Sequence, residues 1–168
     1  MEELVLVVPT IELKNEALQY KEEHFNHGDM QVHGSGGLAY YDDYEAWLEH
    51  IAEIKDSETH TSTFFTKRLS DNKLIGCVKI HQTLNDENRN GGHIAYGIRP
   101  SERGKGYGTK QLRLALEYVK QEGKKQVIVA CDKDNVVSVK TAISCGGTLI
   151  KEFEENGVAK QHYFFDIG

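Results

Sequence analysis

The most constraining feature of the sequence is a segment near its middle, residues 94–122, where an extended apolar run, a glycine-dense turn and a helical pattern follow one another. The turn contains Gly104, Gly106 and Gly108. Such a turn in front of a helix leaves several backbone N–H groups without partners, and the helix dipole adds partial positive charge there. The backbone amides of residues 103–109 are therefore predicted to converge on an anion.

The helix after the turn has one apolar face. Leu112, Ala115, Leu116 and Val119 fall at positions i, i+3, i+4 and i+7, so the helix is expected to pack against a core. This fixes the turn at its start and argues against a merely flexible loop. Thr109, at the beginning of the helix, is expected either to cap it or to contact a phosphate.

The spacing of the glycines separates the candidate phosphate ligands. A dinucleotide fingerprint requires glycine at relative positions one, three and six, but the sixth position counted from Gly104 is Thr109. A Walker A loop requires Gly-Lys-Ser/Thr, which residues 108–110 do not provide. Both mismatches argue against a nucleotide-dependent oxidoreductase and a P-loop protein. The pattern that remains is Arg-x-x-Gly-x-Gly.

This pattern, which runs from Arg103 to Gly108 with Pro100 three residues before the arginine, resembles motif A of the GNAT superfamily of N-acetyltransferases. In that family the loop holds the pyrophosphate of acetyl-coenzyme A. The preceding residues, HIAYGIRPSE, resemble the fourth strand of the family and its exit. The resemblance implies that acetyl-CoA is bound by residues in and before the turn: Ile98, Arg99, Arg103, Gly104, Lys105, Gly106, Tyr107, Gly108 and Thr109.

A second element of the same family follows. Residues 126–130 form an apolar run typical of a buried strand, and a helical pattern begins at Val136 and ends at the glycine pair 146–147. Asn135 stands where a helix N-cap belongs. It also begins an Asn-x-x-Ser pattern with Ser138, and the resemblance implies that this pair lies near the pantetheine arm.

One departure from the family pattern concerns the proton donor. Many members carry a tyrosine seven residues after the asparagine, where it protonates the departing thiolate, but here that position is Ala142. The usual Gly-Phe ending is replaced by Gly146 and Gly147. The general acid is therefore expected to be solvent water or a tyrosine from elsewhere.

The whole chain has the element order β-α-α-β-β-β-α-β-α-β-β. Thr10 is expected to cap the first helix, and a capping box of Asp42 and Glu45 to open the second. This order is that of the GNAT fold, so the resemblance implies an α/β (α+β) protein. Its central sheet is mixed, mostly antiparallel and twisted, with about seven strands flanked by about four helices. A single domain is expected over residues 1–168.

Composition narrows the setting. No apolar stretch approaches the roughly 20 residues that a membrane span requires, and no signal segment is present. The three cysteines have neither pairing nor metal-ligand spacing, and the scattered histidines match no metal motif, so we expect a cytoplasmic protein without a bound metal. Cys131 and Cys145 are expected to be packing residues and not nucleophiles, because acetyl transfer needs no covalent acetyl-enzyme.

Charge is distributed unevenly. Residues 1–66 hold 3 Lys and Arg against 14 Asp and Glu, whereas the remaining residues hold 17 against 12. The basic half contains the predicted phosphate site, and the acidic half either favours a cationic amine or forms solvated helix faces. The overall charge of −6 argues against nonspecific nucleic-acid binding.

Acetyl transfer to an amine needs a polarised carbonyl and a neutral nitrogen. The resemblance implies that the fourth and fifth strands splay apart, which frees an N–H near Gly97 or Ile98 for the oxyanion. His93 is a candidate general base, and Tyr96 a second catalytic candidate. The first two helices, their loop and the last hairpin are expected to form the acceptor pocket with His33, Tyr40 and Tyr41, while Trp47 fits the core better.

The sequence therefore predicts an acetyl-CoA-dependent N-acetyltransferase that moves an acetyl group to a primary amine of a small molecule or peptide by direct attack in a ternary complex. The alternative is a noncatalytic acyl-CoA-binding or sensing domain, which the missing tyrosine would suit. No nucleic-acid or membrane partner is expected, and similar proteins suggest a homodimer. The acceptor, the general base and general acid, and the strict identity of the acyl group stay open.

Overall fold

The computed structural model describes residues 2–168, in which apolar alternation produces strands and 3.6-residue periodicity produces helices. The strands are β1 Leu4–Val7, β2 Thr61–Arg68, β3 Lys73–His81, β4 Ile94–Ile98, β5 Gln126–Asp132, β6 Thr148–Glu155 and β7 Val158–Asp166. The helices are α1 Lys14–Asn26, α2 Tyr44–Lys55, α3 Tyr107–Gln121 and α4 Val136–Ser144. Four short 3₁₀ turns lie between them in the described chain.

The strands form one sheet in the order β1-β2-β3-β4-β5-β7-β6. Every neighbouring pair is antiparallel except β4 and β5, which are parallel because α3 carries the chain back across the sheet. The predicted fold, a mixed and mostly antiparallel seven-stranded sheet with four helices, is confirmed.

The two faces of the sheet are covered by different helices. Neighbouring strand residues point to opposite faces, and Phe64 and Phe65 accordingly belong to two separate core clusters. The first cluster contains the apolar stripe of α3 and Ala142 of α4. The second contains Tyr20 of α1 and Trp47 of α2. The helices α3 and α4 thus cover one face, and α1 and α2 cover the other.

Two predicted helix caps are wrong, and Thr109 does not have the first of its two expected roles, that of a cap. Thr10 precedes a 3₁₀ turn without a side-chain cap bond, and α1 begins only at Lys14. The cap of α2 is Asp43 and not Asp42, because the Asp43 carboxylate accepts a hydrogen bond from the Glu45 N–H. Thr109 is the third residue of α3, whose N-cap is Gly106 in the left-handed conformation.

Within residues 2–168, no helix combines the length and the apolar character needed to cross a membrane. The same residues contain no group of three or more His, Cys, Asp or Glu side chains placed to hold a metal ion.

Candidate functional site

The sheet opens between β4 and β5. In the described chain these strands share one parallel register pair, Ile94 with Val129. The His93 carbonyl accepts a hydrogen bond from the His81 N–H, and the Arg99 N–H donates to the Ile75 carbonyl. The backbone N–H and C=O groups of the odd-numbered residues of β4 therefore point towards β3. The N–H groups of even-numbered residues, including Tyr96 and Ile98, therefore face the opening towards β5. This is the separation that the sequence predicted.

A cleft of about 540 Å³ lies at this opening. Two predicted residues of β4, Tyr96 and Ile98, line it together with Gly97. From the glycine turn, α3 and α4 it receives further predicted side chains and backbone: Arg103, Gly104, Gly106, Tyr107, Gly108, Thr109, Asn135 and Ser138. His93, Arg99 and Lys105 do not line it.

The glycine turn presents a run of unpaired backbone amides. The Arg103 N–H donates to the Pro100 carbonyl at 3.3 Å, and the Lys110 N–H donates to the Gly106 carbonyl at 3.4 Å. Between them, the amides of residues 104–109 donate to no group in the described chain. Gly104 and Gly106 have φ values of +76° and +84°, which successive amides need in order to turn towards one point. The Arg103 amide, which we expected to contribute, is already satisfied.

Beneath the turn, three cations surround one buried carboxylate. Glu102, 4% exposed, accepts from Arg68 at 2.6 Å, Lys105 at 3.1 Å and Lys73 at 3.2 Å. Burial alone would raise the pKa of Glu102, but these hydrogen bonds outweigh it and lower the pKa to about 2. The Lys105 ammonium is thus bound to Glu102, which lines the cleft, whereas Lys105 itself does not line it.

The two arginines that flank the turn behave differently. The Arg99 guanidinium donates to Glu23 at 2.9 Å and to the Leu74 carbonyl at 3.2 Å, outside the cleft. This corrects the expectation of a cofactor contact from that side chain, since α1 supplies a competing carboxylate. Arg103 does line the cleft, where it donates to the Ile98 carbonyl at 2.8 Å and to Asp29 at 3.1 Å.

On the other side of the cleft, Asn135 caps α4. Its side-chain oxygen accepts from the Ser138 N–H at 3.1 Å, which confirms the predicted N-cap. Because the cap uses the Asn135 side-chain oxygen, the Asn135 side-chain NH2 and the Ser138 hydroxyl are the groups left for a ligand that runs from the glycine turn along β4.

The Tyr96 hydroxyl is buried at the cleft and has no hydrogen-bond partner in the described chain. Burial raises the pKa of Tyr96 above its ordinary value, so the phenol keeps its proton at neutral pH. The ring packs against the core cluster that includes Ala142, the position where the family pattern has its tyrosine. Tyr96 therefore brings a phenol to the same side of the sheet as Ala142.

His93 lies outside the cleft, which corrects its assignment as the base. The ring Nδ1 of His93 accepts a hydrogen bond from the Ile128 backbone N–H at 2.9 Å. The backbone N–H of His93 donates to the Ile128 carbonyl at 2.7 Å. Burial above all, and then the charges of Lys124 and His81, lower the pKa of His93 to about 4. With its lone pair already engaged, His93 holds β4 and β5 together below the opening.

The loop between α1 and α2 presses directly on β4. A Cβ added to Gly97 would lie 2.6 Å from the His33 carbonyl oxygen, and one added to Gly34 would lie 2.7 Å from Tyr96 Cα. Only glycine at both positions permits this close approach. The loop thereby brings Asp29 and His33 to the cleft.

The other predicted acceptor residues lie elsewhere. Tyr40 is 75% exposed, and Tyr41 stacks on the His50 ring at 5.4 Å. Trp47 is fully buried and donates from its indole N–H to the Ser35 carbonyl at 2.8 Å, as suits a core residue. Neither tyrosine lines the cleft.

Among the cleft residues that the sequence did not assign to the site, one is a histidine. His24, near the C-terminal end of α1, is fully buried and lines the cleft. Its Nδ1 lies 2.8 Å from the Tyr20 carbonyl oxygen, while its Nε2 has no partner in the described residues. The local sequence shows only a histidine in a Glu-rich helix, so only the folding of α1 beside β4 makes it visible.

Comparison with known proteins agrees with this geometry. The family model of the acetyltransferase (GNAT) domain matches residues 11–148. The chain therefore belongs to the GNAT family of acetyltransferases. No curated protein sequence gives a match.

Solved structures share the fold at low sequence identity. The microcin C7 self-immunity acetyltransferase MccE, in complex with acetyl-CoA and AMP, has a TM-score of 0.73 at 21% identity over 99% of this chain and 94% of that chain. RimL, a ribosomal L7/L12 alpha-N-protein acetyltransferase in complex with coenzyme A, has a TM-score of 0.74 at 16% identity over 98% of this chain and 94% of that chain. A dodecameric spermidine N-acetyltransferase from Vibrio cholerae has a TM-score of 0.68 at 16% identity over 97% of this chain and 93% of that chain.

Proposed function

We propose that this acetyltransferase uses acetyl-CoA to acetylate a primary amine of a small molecule or peptide by direct attack in a ternary complex. One observation carries the proposal: the unpaired amides of residues 104–109 lie on the same cleft as the opening between β4 and β5. A diphosphate fits the first feature, and an extended pantetheine arm fits the second.

Different residues of the cleft bind different parts of acetyl-CoA. The six amides and the positive end of α3 bind the diphosphate, with Arg103 beside them. The arm then runs along β4, where the N–H groups of Tyr96 and Ile98, which face the opening, and the capping side chain of Asn135 meet it. Arg99 and Lys105 are left out of this set because Glu23 and Glu102 hold their side chains.

Catalysis then rests on positioning and charge stabilisation. Holding the thioester beside the amine makes the attack effectively intramolecular. The Ile98 N–H, which faces the opening, stabilises the oxyanion of the tetrahedral intermediate. The Tyr96 phenol, protonated and unpartnered, gives its proton to the departing thiolate.

Replacing Tyr96 with phenylalanine tests that role. We expect kcat to fall on the order of 10²-fold, because the variant removes the proton donor and keeps the ring packing. The affinity for CoA should stay unchanged, and the free energy of unfolding should not fall, since the hydroxyl has no partner to lose. Steady-state thiol release, CoA titration calorimetry and urea unfolding measure the three quantities.

Tyr118→Phe is the matched control, since this tyrosine lies on α3 and does not line the cleft. It should leave kcat unchanged. A Tyr96→Phe enzyme with the wild-type kcat would remove Tyr96 from the mechanism.

The acceptor is an amine that reaches the cleft beside the loop after α1. Two solved structures with this fold are named as acetyltransferases of ribosomal protein L7/L12 and of spermidine. We therefore propose a panel of a polyamine, peptides with N-terminal serine or alanine, free amino acids and an aminoglycoside. Release of free thiol from acetyl-CoA with one class supports the proposal. CoA binding without thiol release across the panel would favour the noncatalytic sensor instead.

The setting of the enzyme is part of the same proposal. The side chains of Cys77, Cys131 and Cys145 are free thiols, which suits a reducing cytoplasmic compartment. A homodimer stays a prediction that size-exclusion chromatography with light scattering measures directly.

A further inference from the structure

We infer that His24 is the general base that removes a proton from the acceptor amine. This inference rests on the proposed acetyl transfer and adds to it the group that makes the nitrogen nucleophilic. An ammonium of pKa about 10 has no lone pair at neutral pH, so a base next to the acceptor accelerates its attack. His24 brings such a base to the cleft from the face of the sheet opposite Tyr96.

The hydrogen bond at Nδ1 fixes the tautomer of the ring. The Tyr20 carbonyl, 2.8 Å away, can only accept, so Nδ1 must carry the hydrogen. In the neutral ring Nε2 then has a bare lone pair and no hydrogen. The backbone of α1 therefore presents His24 as a proton acceptor at Nε2.

That lone pair is buried and unused. His24 is fully buried, its Nε2 has no partner within residues 2–168, and the residue lines the cleft. A buried acceptor without a partner costs about 1–3 kcal/mol, so such groups are rare in folded proteins and need an explanation. An amine in the cleft that donates to Nε2 supplies the missing partner.

The position of His24 complements that of Tyr96. Ala17, Tyr20 and His24 are the buried residues of α1, and the first two belong to the core cluster on the α1 and α2 face. Tyr96 packs with the cluster on the α3 and α4 face. Both side chains line the same cleft, where the sheet is open. A base on one face and an acid on the other suit attack and departure on opposite sides of a carbonyl.

Burial, more than the charged and polar groups around it, keeps the His24 ring neutral. Tyr20 and Glu23 come from α1, Asp29 from the following loop and Arg103 from the glycine turn. Burial is the largest influence and lowers the pKa of His24 below its ordinary 6.5, Arg103 acts in the same direction, and the Tyr20 carbonyl, Asp29 and Glu23 oppose them. Asp29 is itself paired with Arg103 at 3.1 Å, which limits its effect on the imidazole.

The other histidines near the site do not offer this combination. The His93 lone pair is bonded to the Ile128 N–H, and His93 lies outside the cleft. His33 lines the cleft but is exposed at the surface. His24 alone of these three is both buried at the cleft and unpartnered at a ring nitrogen.

The acceptor ammonium gives one proton to His24 Nε2, and the freed lone pair forms the C–N bond to the thioester carbon. The C–S bond then breaks, and its electron pair leaves on sulfur. The nitrogen keeps one hydrogen as an amide, the thiol gains one through Tyr96, and one proton passes to solvent.

The test compares three proteins with the acceptor that gives the fastest thiol release: the wild type, His24→Asn and His27→Asn. Asparagine at position 24 can still donate to the Tyr20 carbonyl but has no basic nitrogen. His27 is the exposed C-cap of the same helix and does not line the cleft, so it is the matched control. We measure kcat and kcat/KM from pH 5.5 to 9, together with the Kd for CoA.

We expect His24→Asn to lower kcat about 100-fold at pH 7.5 and to leave the Kd for CoA within about twofold. The wild type should lose activity as the pH falls through a value below 6.5, where His24 becomes protonated, and this acid limb should vanish in the variant. His27→Asn should behave as wild type. A His24→Asn enzyme that keeps the wild-type rate and acid limb overturns the inference alone, whereas a wild type that releases no thiol overturns the proposed function with it.

A second measurement does not depend on the variant folding. Two-bond ¹H–¹⁵N correlation spectra of the wild-type histidine rings report which nitrogen carries the hydrogen. His24 should be the Nδ1–H tautomer near pH 7, and a ring with its hydrogen on Nε2 would overturn the inference.

Discussion

Gly108→Glu is expected to weaken CoA binding about 1,000-fold, or about 4 kcal/mol, while the protein stays folded. A Cβ at this position would lie 3.7 Å from Thr141 Oγ1 and 3.9 Å from Ile98 Cγ1, which are ordinary contacts. Both of these residues line the cleft, so a longer side chain from position 108 occupies it. Its carboxylate then stands against the diphosphate, and like charges brought together cost several kcal/mol.

The same substitution should not harm the helix. Position 108 is in the first turn of α3, where a negative side chain interacts favourably with the helix dipole. The circular dichroism spectrum and the urea midpoint should therefore stay close to those of the wild type. Loss of binding without loss of fold separates a blocked site from a damaged one.

Isothermal titration with CoA measures the effect, and Gln121→Glu is its charge-matched control. That residue is exposed at the last position of α3, away from the cleft, so its change should leave the Kd within about twofold. A Gly108→Glu protein that binds CoA within threefold of the wild type would show that the cofactor does not approach this turn.

Glu102→Gln is expected to lower the free energy of unfolding by about 3–5 kcal/mol at pH 7. The Glu102 side chain is 5% exposed and neutralises Arg68, which is 13% exposed, together with Lys73 and Lys105. The neutral amide leaves Lys73 and Lys105 near Arg68 without the carboxylate that they share, and only Arg68 keeps another partner, Asp71 at 2.7 Å. Removing one member of a buried ion pair costs more than the pair itself contributes, since the remaining charge stays desolvated.

The pH dependence of this effect has a definite sign. The pKa of Glu102 is lowered from 4.5 to about 2 in the folded protein, so its contribution is full above about pH 5 and is lost as the pH falls towards 2. The difference in unfolding free energy between wild type and Glu102→Gln should therefore shrink over that range. Urea unfolding at pH 7, 5, 4 and 3 measures it.

Asp86→Asn serves as the control for an exposed ion pair. The Asp86 carboxylate lies 3.1 Å from the Arg89 guanidinium, and the two side chains are 95% and 65% exposed. Breaking this ion pair should therefore change the free energy of unfolding by no more than about 1 kcal/mol. Equal effects of Glu102→Gln and Asp86→Asn, or a difference that does not change with pH, would contradict the role of the buried carboxylate.

Much of the fold follows from local pattern. The strand, glycine turn and helix of residues 94–121 have the predicted order because the apolar period changes from extended to helical at the glycines. Asn135 caps α4 for the same local reason. The cap of α2 is Asp43 and not the predicted Asp42. Both adjacent aspartates satisfy the N-cap preference, and only the direction of the entering chain selects one of them.

The site was harder to predict because its residues come from distant parts of the chain. Arg99 and Lys105 have the charge for phosphate, but Glu23 and Glu102 hold them in the fold. His93 is next to the reacting strand in sequence, yet its lone pair is bonded to β5. His24 reaches the cleft only because α1 packs against the sheet beside β4, which no local pattern indicates.

The most direct test of the central claim follows the backbone amides during a CoA titration by ¹H–¹⁵N correlation spectroscopy. We expect the signals of the amides of residues 104–109, which are unpaired in the free protein, to shift most strongly and to saturate with the binding isotherm. Saturable binding that leaves these six signals in place, while amides elsewhere shift, would contradict it.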